Sequence, residues 1–152
     1  MRELIRGRAV VSDAWRYPGE AGTGPQVATL AEFLADAGAA AVQLEPADAV
    51  ERLAPHIARL QLVVVHFPRD GEGRGFTQGQ LLRQRYGYRG ELRARGMFKR
   101  DYLFFLARCG FDAFEPNPAE NLAAALTAFD SFTVGYQPGS DLGVNLRGRR
   151  AS

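Results

Sequence analysis

Apolar positions along the chain switch repeatedly between a period of two and a period near 3.6. Residues 8–15 (RAVVSDAW) read as a short strand and 17–25 (YPGEAGTGP) as a turn-rich loop. Val27, Leu30, Phe33, Leu34 and Ala37 fall at helical spacing, and Gly38 closes that pattern. Residues 41–45 (AVQLE) are strand-like up to Pro46, and 49–60 place Val50, Leu53, Ile57 and Leu60 on one helical face. The β-branched run 61–67 (QLVVVHF) has the length and composition of a buried strand. A glycine-rich loop, 68–76, follows, and Thr77 with Gln80 predicts a capping box for a helix over 78–86.

The alternation continues downstream. Residues 91–95 read as a strand between Gly90 and Gly96, 99–109 as a helix stopped by Gly110, and 111–114 as a strand. Asn117, Pro118 and Glu120 mark a helix start: a cap, a first-turn proline and an acid in the first turn. Residues 131–137 (SFTVGYQ) read as a last strand and 138–152 as a loose C-terminal tail, which leaves 1–137 as a single domain. Roughly four strand–helix units in succession predict an α/β fold with a mainly parallel sheet.

Strand parity sharpens this. A parallel strand buried on both sides is apolar on both. Here Glu91, Arg93 and Arg95 share one face of their strand, with Leu92 and Ala94 on the other. Gln43 and Glu45 share a face, and His66 lies with Leu62 and Val64. Charged faces on parallel strands predict an arc of βα units, half-barrel-like, with helices outside and a polar concave side. An open doubly wound sheet is the alternative. In either case ligands sit at the C-terminal ends of the strands. That places the candidate site at Glu45, His66, Arg95, Glu115 and the loop 68–76.

At 152 residues and 46% apolar composition the chain can bury a core as one domain. No apolar run approaches the roughly 20 residues that span a bilayer, and the first residues lack a signal-peptide core, so a cytoplasmic location is expected. Charge is strongly segregated despite a formal net charge of only +2. From Arg69 to Arg108 there are nine Arg and one Lys against four acids, whereas residues 1–68 and 109–146 hold six Arg against 13 acids. Arginine presents a fixed fork of donors suited to planar oxyanions. Arg74, Arg83, Arg93 and Arg95 are therefore the candidate anion-binding residues, with Glu91 and Arg93 also positioned to form a structural ion pair. His66 and Glu45 are the candidate acid–base residues. In the loop 68–76 the glycines either bring backbone N–H groups close to an anion or serve only the turn.

Several chemistries have no basis in these residues. Two His and one Cys, Cys109, make no soft-metal constellation and no disulfide. No motif for NAD, flavin, haem or an iron–sulfur cluster is present, so the cofactor is left open. Tyr86, Tyr88, Phe98 and Tyr102 interleave with Arg, but no nucleic-acid recognition motif accompanies them, and nucleic acid is not an expected partner.

The segments Phe67-Pro68, GRGFT at 73–77, LLRQRYGYRGELRARG at 81–96 and RCGFDAF at 108–114 resemble a bacterial family, domain of unknown function 934. Three positions depart from that family's usual pattern: Glu72, Met97 and Tyr102. The family's genes lie beside those of assimilatory sulfite reductase, and its members are labelled oxidoreductases of sulfite reduction. The resemblance implies a place in sulfur assimilation, with sulfite reductase or its electron donor as a partner and a small oxyanion as ligand. Two readings follow: an accessory or anion-binding protein of that pathway, and an enzyme acting on a small anionic or phosphorylated substrate. An open concave face with apolar as well as charged residues further predicts a homodimer.

Overall fold

The run 62–67 needs cover on both sides, and it forms a central strand of a seven-stranded sheet. The computed structural model describes residues 2–69 and 73–134. The strands are β1 (Arg2–Arg6), β2 (Ala9–Asp13), β3 (Ala28–Thr29), β4 (Ala41–Leu44), β5 (Leu62–Phe67), β6 (Glu91–Gly96) and β7 (Ala113–Glu115). Their order is β2-β1-β7-β6-β5-β4-β3. Strands β3 to β7 are parallel and lie side by side in chain order. β1 runs antiparallel to both β7 and β2.

This order decides between the two predicted architectures. A doubly wound sheet reverses its strand order at a switch point. Here every crossover steps to the next strand in the same direction. The helical connections are α1 (Leu30–Ala35), a 3-10 helix over Val50–Arg59, α2 (Arg74–Gln80) continuing as a π turn over Leu81–Arg85, and α3 (Leu103–Arg108) entered through a 3-10 turn. A last helix, α4 (Leu122–Val134), follows β7. Their buried side chains join a single cluster with Val42, Leu44, Val63, Val65, Phe67, Leu92, Ala94 and Phe114. All helices therefore cover one face of the sheet and leave the other concave, as in half a barrel. Phe33, Leu53 and Leu106 are each 0% exposed, and burial of such a side chain contributes about 1.5–3 kcal/mol.

Local signals and local structure part company in several places. β1 is absent from the sequence reading because RELIR carries three charges in five residues. Its partner β2 returns after Gly7 and Arg8, and Gly7 has φ 63°, the left-handed conformation a tight hairpin requires. The capping box is at Thr29 and Glu32, where the Thr29 Oγ1 accepts from the Glu32 N–H at 3.2 Å and the Glu32 carboxylate accepts from the Thr29 N–H at 3.0 Å. Thr77 and Gln80 lie inside α2, which already begins at Arg74. Asn117 closes a turn by accepting from Ala119, and Asn121 caps α4 by accepting from the Ala124 N–H at 2.9 Å. Residues 131–134 are helical, not the predicted strand. The rest of that segment and the tail 138–152 lie outside the described residues. No helix among the described residues is long and apolar enough to cross a membrane.

Candidate functional site

Side-chain alternation places Gln43, His66, Glu91, Arg93, Arg95 and Glu115 on the concave face, joined by Arg2 and Arg6 from β1. The loop between β2 and β3 folds back over this face. Its Tyr17 is 0% exposed and packs with Val27, Ala41, Leu62 and Val64, with Trp15 alongside. The apolar part of the concave face is thus covered from within the chain. That removes the physical ground on which a homodimer was expected.

Two layers of charge lie beneath and beside this loop. The lower layer centres on Arg93, whose side chain is 0% exposed. Its Nη1 and Nη2 donate to the two carboxylate oxygens of Asp13, both at 3.0 Å. Nε donates to Glu91 at 2.9 Å, Nη2 lies 2.8 Å from the same carboxylate, and Nη1 donates to the Tyr17 hydroxyl at 3.1 Å. Arginine has five N–H donors, and these contacts engage all of them. Burial works against the charged form of Arg93. The Asp13 and Glu91 carboxylates more than offset it, and its pKa is raised. For Asp13, burial pushes the carboxyl upward, but Arg93, the Trp15 backbone N–H and Arg6 hold it below the ordinary range. Arg93 and Glu91 therefore form the structural ion pair, and Arg93 is not an anion ligand.

The upper layer is a row across four neighbouring parallel strands. In register, His66 faces Arg95 and Arg95 faces Glu115, while Glu45 follows Leu44, the partner of Val65. Glu45, His66, Arg95 and Glu115 thus line the C-terminal mouth of the half-barrel. His66 Nδ1 is 2.7 Å from Glu45 Oε1. The other Glu45 oxygen accepts from Gln43 Nε2 at 2.8 Å, and Gln43 Oε1 accepts from Arg95 Nη1 at 3.3 Å. A continuous chain of polar contacts therefore runs Arg95–Gln43–Glu45–His66. Gln78, buried in α2, donates to the backbone carbonyls of Glu45 and Asp48 at 2.9 and 3.2 Å and fixes the end of β4.

Tyr17 joins the two layers. Its hydroxyl donates to Glu115 and accepts from Arg93. The guanidinium carbons of Arg2 and Arg95 lie 4.1 and 3.9 Å from its ring centre, a cation–π arrangement. Burial raises the pKa of the Tyr17 hydroxyl and keeps it protonated. Arg2 also pairs with Glu20 and Glu115, and Arg6 with Asp13 and Glu91. Of the four concave-face arginines, Arg95 alone has no carboxylate within 4.0 Å among the described residues.

The remaining candidates lie elsewhere. Arg83 is at the opposite, N-terminal edge of the sheet. It donates to the carbonyls of Gly110, Tyr88 and Gly90 at 2.8, 2.9 and 2.9 Å and sits 3.4 Å from Asp112. It braces the connections into β6 and β7 and is not an anion ligand. Arg74 is exposed at the first residue of α2, on the mouth edge. Gly75 lies inside α2, where a Cβ would come within 2.5 Å of the Phe67 ring. Its smallness serves helix–strand packing and not an anion cradle. Cys109 is buried, and burial raises its thiol pKa, with Arg108 as a partial offset. No group of three or more His, Cys, Asp and Glu among the described residues has the geometry to hold a metal ion.

Sequence reasoning reached Glu45, His66, Arg95 and Glu115 through parity and strand ends. It missed Asp13 and Tyr17, which came from segments read as an ordinary strand and a loop. Their one local trace is Asp13 at a strand end beside two aromatics, Trp15 and Tyr17.

A family model described as "Bacterial protein of unknown function (DUF934)" matches residues 41–144. The chain belongs to that family. The matched span includes Glu45, His66, the four candidate arginines and Glu115, while β1, β2 and the covering loop precede it. No curated protein and no solved structure matches the chain.

Proposed function

We propose that this DUF934 protein binds a small oxyanion at the mouth of the half-barrel, with Arg95 as the charged donor, as an accessory or anion-binding protein of assimilatory sulfate and sulfite reduction. The observation that carries this reading is the state of Arg95. It stacks on Tyr17, is held at one nitrogen by Gln43, has no carboxylate within 4.0 Å among the described residues, and sits where parallel α/β sheets bind ligands. The pathway assignment rests on the label carried by the family the chain resembles, and it implies sulfite reductase or the electron donor of that enzyme as the partner.

A second reading is favoured by one contact, the 2.7 Å approach of His66 Nδ1 to Glu45. A carboxylate that holds one imidazole nitrogen fixes the ring and leaves the other nitrogen to act as acid or base. With Arg95 on the adjacent strand, the same site would support proton transfer on a small anionic or phosphorylated substrate.

Both readings require anion binding, which is measured directly. Sulfate, sulfite and phosphate should raise the melting temperature more than chloride does at matched ionic strength. Arg95→Met should remove most of that specific gain, and an equal response in both proteins would overturn the site. Deletion of the gene should impair growth on sulfate or sulfite and spare growth on cysteine. Normal growth on sulfate would detach the protein from the pathway and leave the small-anion enzyme.

A further inference from the structure

Among the described residues, the large apolar side chains left in solvent are concentrated at one place. Four stand out as exposed: Val10, Met97, Tyr102 and Phe105, at 36, 40, 37 and 49%. Three of these fall between positions 97 and 105. Phe105 and Tyr102 extend from α3 and the turn before it toward the half-buried Phe76 on α2, with ring centres 5.0 and 6.2 Å from that of Phe76. The neighbouring helices thus present a continuous aromatic surface on the convex side. Met97, two residues beyond Arg95, lies where this surface meets the mouth. Clustered exposed aromatics with Met and Arg are the composition of a protein interface, whereas single exposed apolar residues are ordinary.

Charge selects the occupant. Lys99 and Arg100 are exposed beside the aromatics, with Asp101 the one acid among them, and residues 97–108 as a whole carry two Arg and one Lys against that acid. Paired through the same patch, a second copy of the chain would bring like charge against like. Residues 135–152 hold three Arg against one Asp, so that segment is not an acidic one. We infer that this aromatic surface docks an acidic, amphipathic segment of a partner protein, its apolar side chains on Phe76, Tyr102 and Phe105 and its carboxylates toward Lys99 and Arg100. The surface is separate from the anion site, and a partner seated on it lies beside the mouth at Met97.

The test uses two labelled helical peptides with the same Leu and Phe face, one with Glu on its other face and one with Lys. Fluorescence anisotropy with the full-length protein should show the Glu peptide binding and the Lys peptide failing. Affinity for the Glu peptide should fall about fivefold or more as salt rises through the physiological range. Phe105→Ser should weaken binding about tenfold with an unchanged melting temperature. Lys99→Glu combined with Arg100→Glu should transfer the preference to the Lys peptide. Equal binding of both peptides, binding of neither, or a Phe105→Ser protein that binds as well as the parent would overturn the inference. With p-benzoylphenylalanine placed at Phe105 and no peptide added, a crosslink to a second copy or to residues 135–152 would name a different occupant and overturn it too. Sulfate should stabilise the Phe105→Ser protein as it does the parent, so failure here is distinguishable from failure of the anion site.

Discussion

Arg93 and Arg95 are two residues apart on one strand and face the same way, yet their surroundings differ completely. Arg93 lies under the loop that carries Tyr17 and is closed in by Asp13, Glu91 and the Tyr17 hydroxyl. Arg95 lies one step nearer the mouth, against the ring of that tyrosine, with the neutral amide of Gln43 as its one hydrogen-bonded partner among the described residues. The lower layer is an internally neutralised network that ties β1, β2 and β6 together. In the upper layer, Arg95 has no carboxylate within 4.0 Å among the described residues. A guanidinium signals a ligand site only when its donors are not already engaged. Burying it with full compensation gives structure instead.

The comparison breaks most visibly at Asp13. Asp13→Ala leaves Arg93 buried with one carboxylate fewer, and loss of one partner from a buried pair costs about 3–5 kcal/mol. Urea denaturation should register that loss. Asp13→Leu combined with Arg93→Met should recover most of it, because a buried ion pair is often replaceable by apolar packing. Tyr17→Phe tests the connection between the layers. It removes the hydroxyl that serves both Arg93 and Glu115, and a lost buried hydrogen bond of this kind costs about 1–3 kcal/mol. A stability change near zero would show the layers to be independent.

Acid provides a third measure. The Asp13 carboxyl is held below its ordinary value in the folded protein, so its contribution to stability is fully present above the unfolded-state pKa of about 3.9. That contribution is lost as pH falls through the lowered folded value. The parent protein should therefore lose stability more steeply below about pH 4 than Asp13→Ala does. The groups that hydrogen-bond to Asp13 are Arg93, Arg6 and the Trp15 backbone N–H. The smallest effect on stability belongs to Arg95→Met, within about 0.5–1 kcal/mol because no ion pair among the described residues is broken. Its consequence should appear in the anion response instead. A large loss of stability with an unchanged anion response would invert the assignment of the two layers.

Much of the architecture was legible in the pattern of apolar and polar residues. The β-branched run 62–67, the stops at Gly38, Gly90 and Gly110, and the helical spacing between them specify a succession of βα units, since each is set by local backbone and burial preferences. Parity also put Glu91, Arg93 and Arg95 on one face and placed Glu45, His66 and Glu115 at the strand ends, because side chains alternate with a period of two whatever the fold. The reading of Thr77 as a cap failed because an identical motif occurs inside a helix once Gly75 packs on Phe67. β1 escaped because charged residues on a concave face look like surface. Only the tertiary structure decided which arginine is enclosed. Asp13 and Tyr17 reach Arg93 across 80 and 76 residues of chain, and that contact exists only because β1 and β2 add antiparallel to β7 and fold their loop over β6. Local chemistry determined that the face would be charged; the order of the strands determined which of its charges was enclosed.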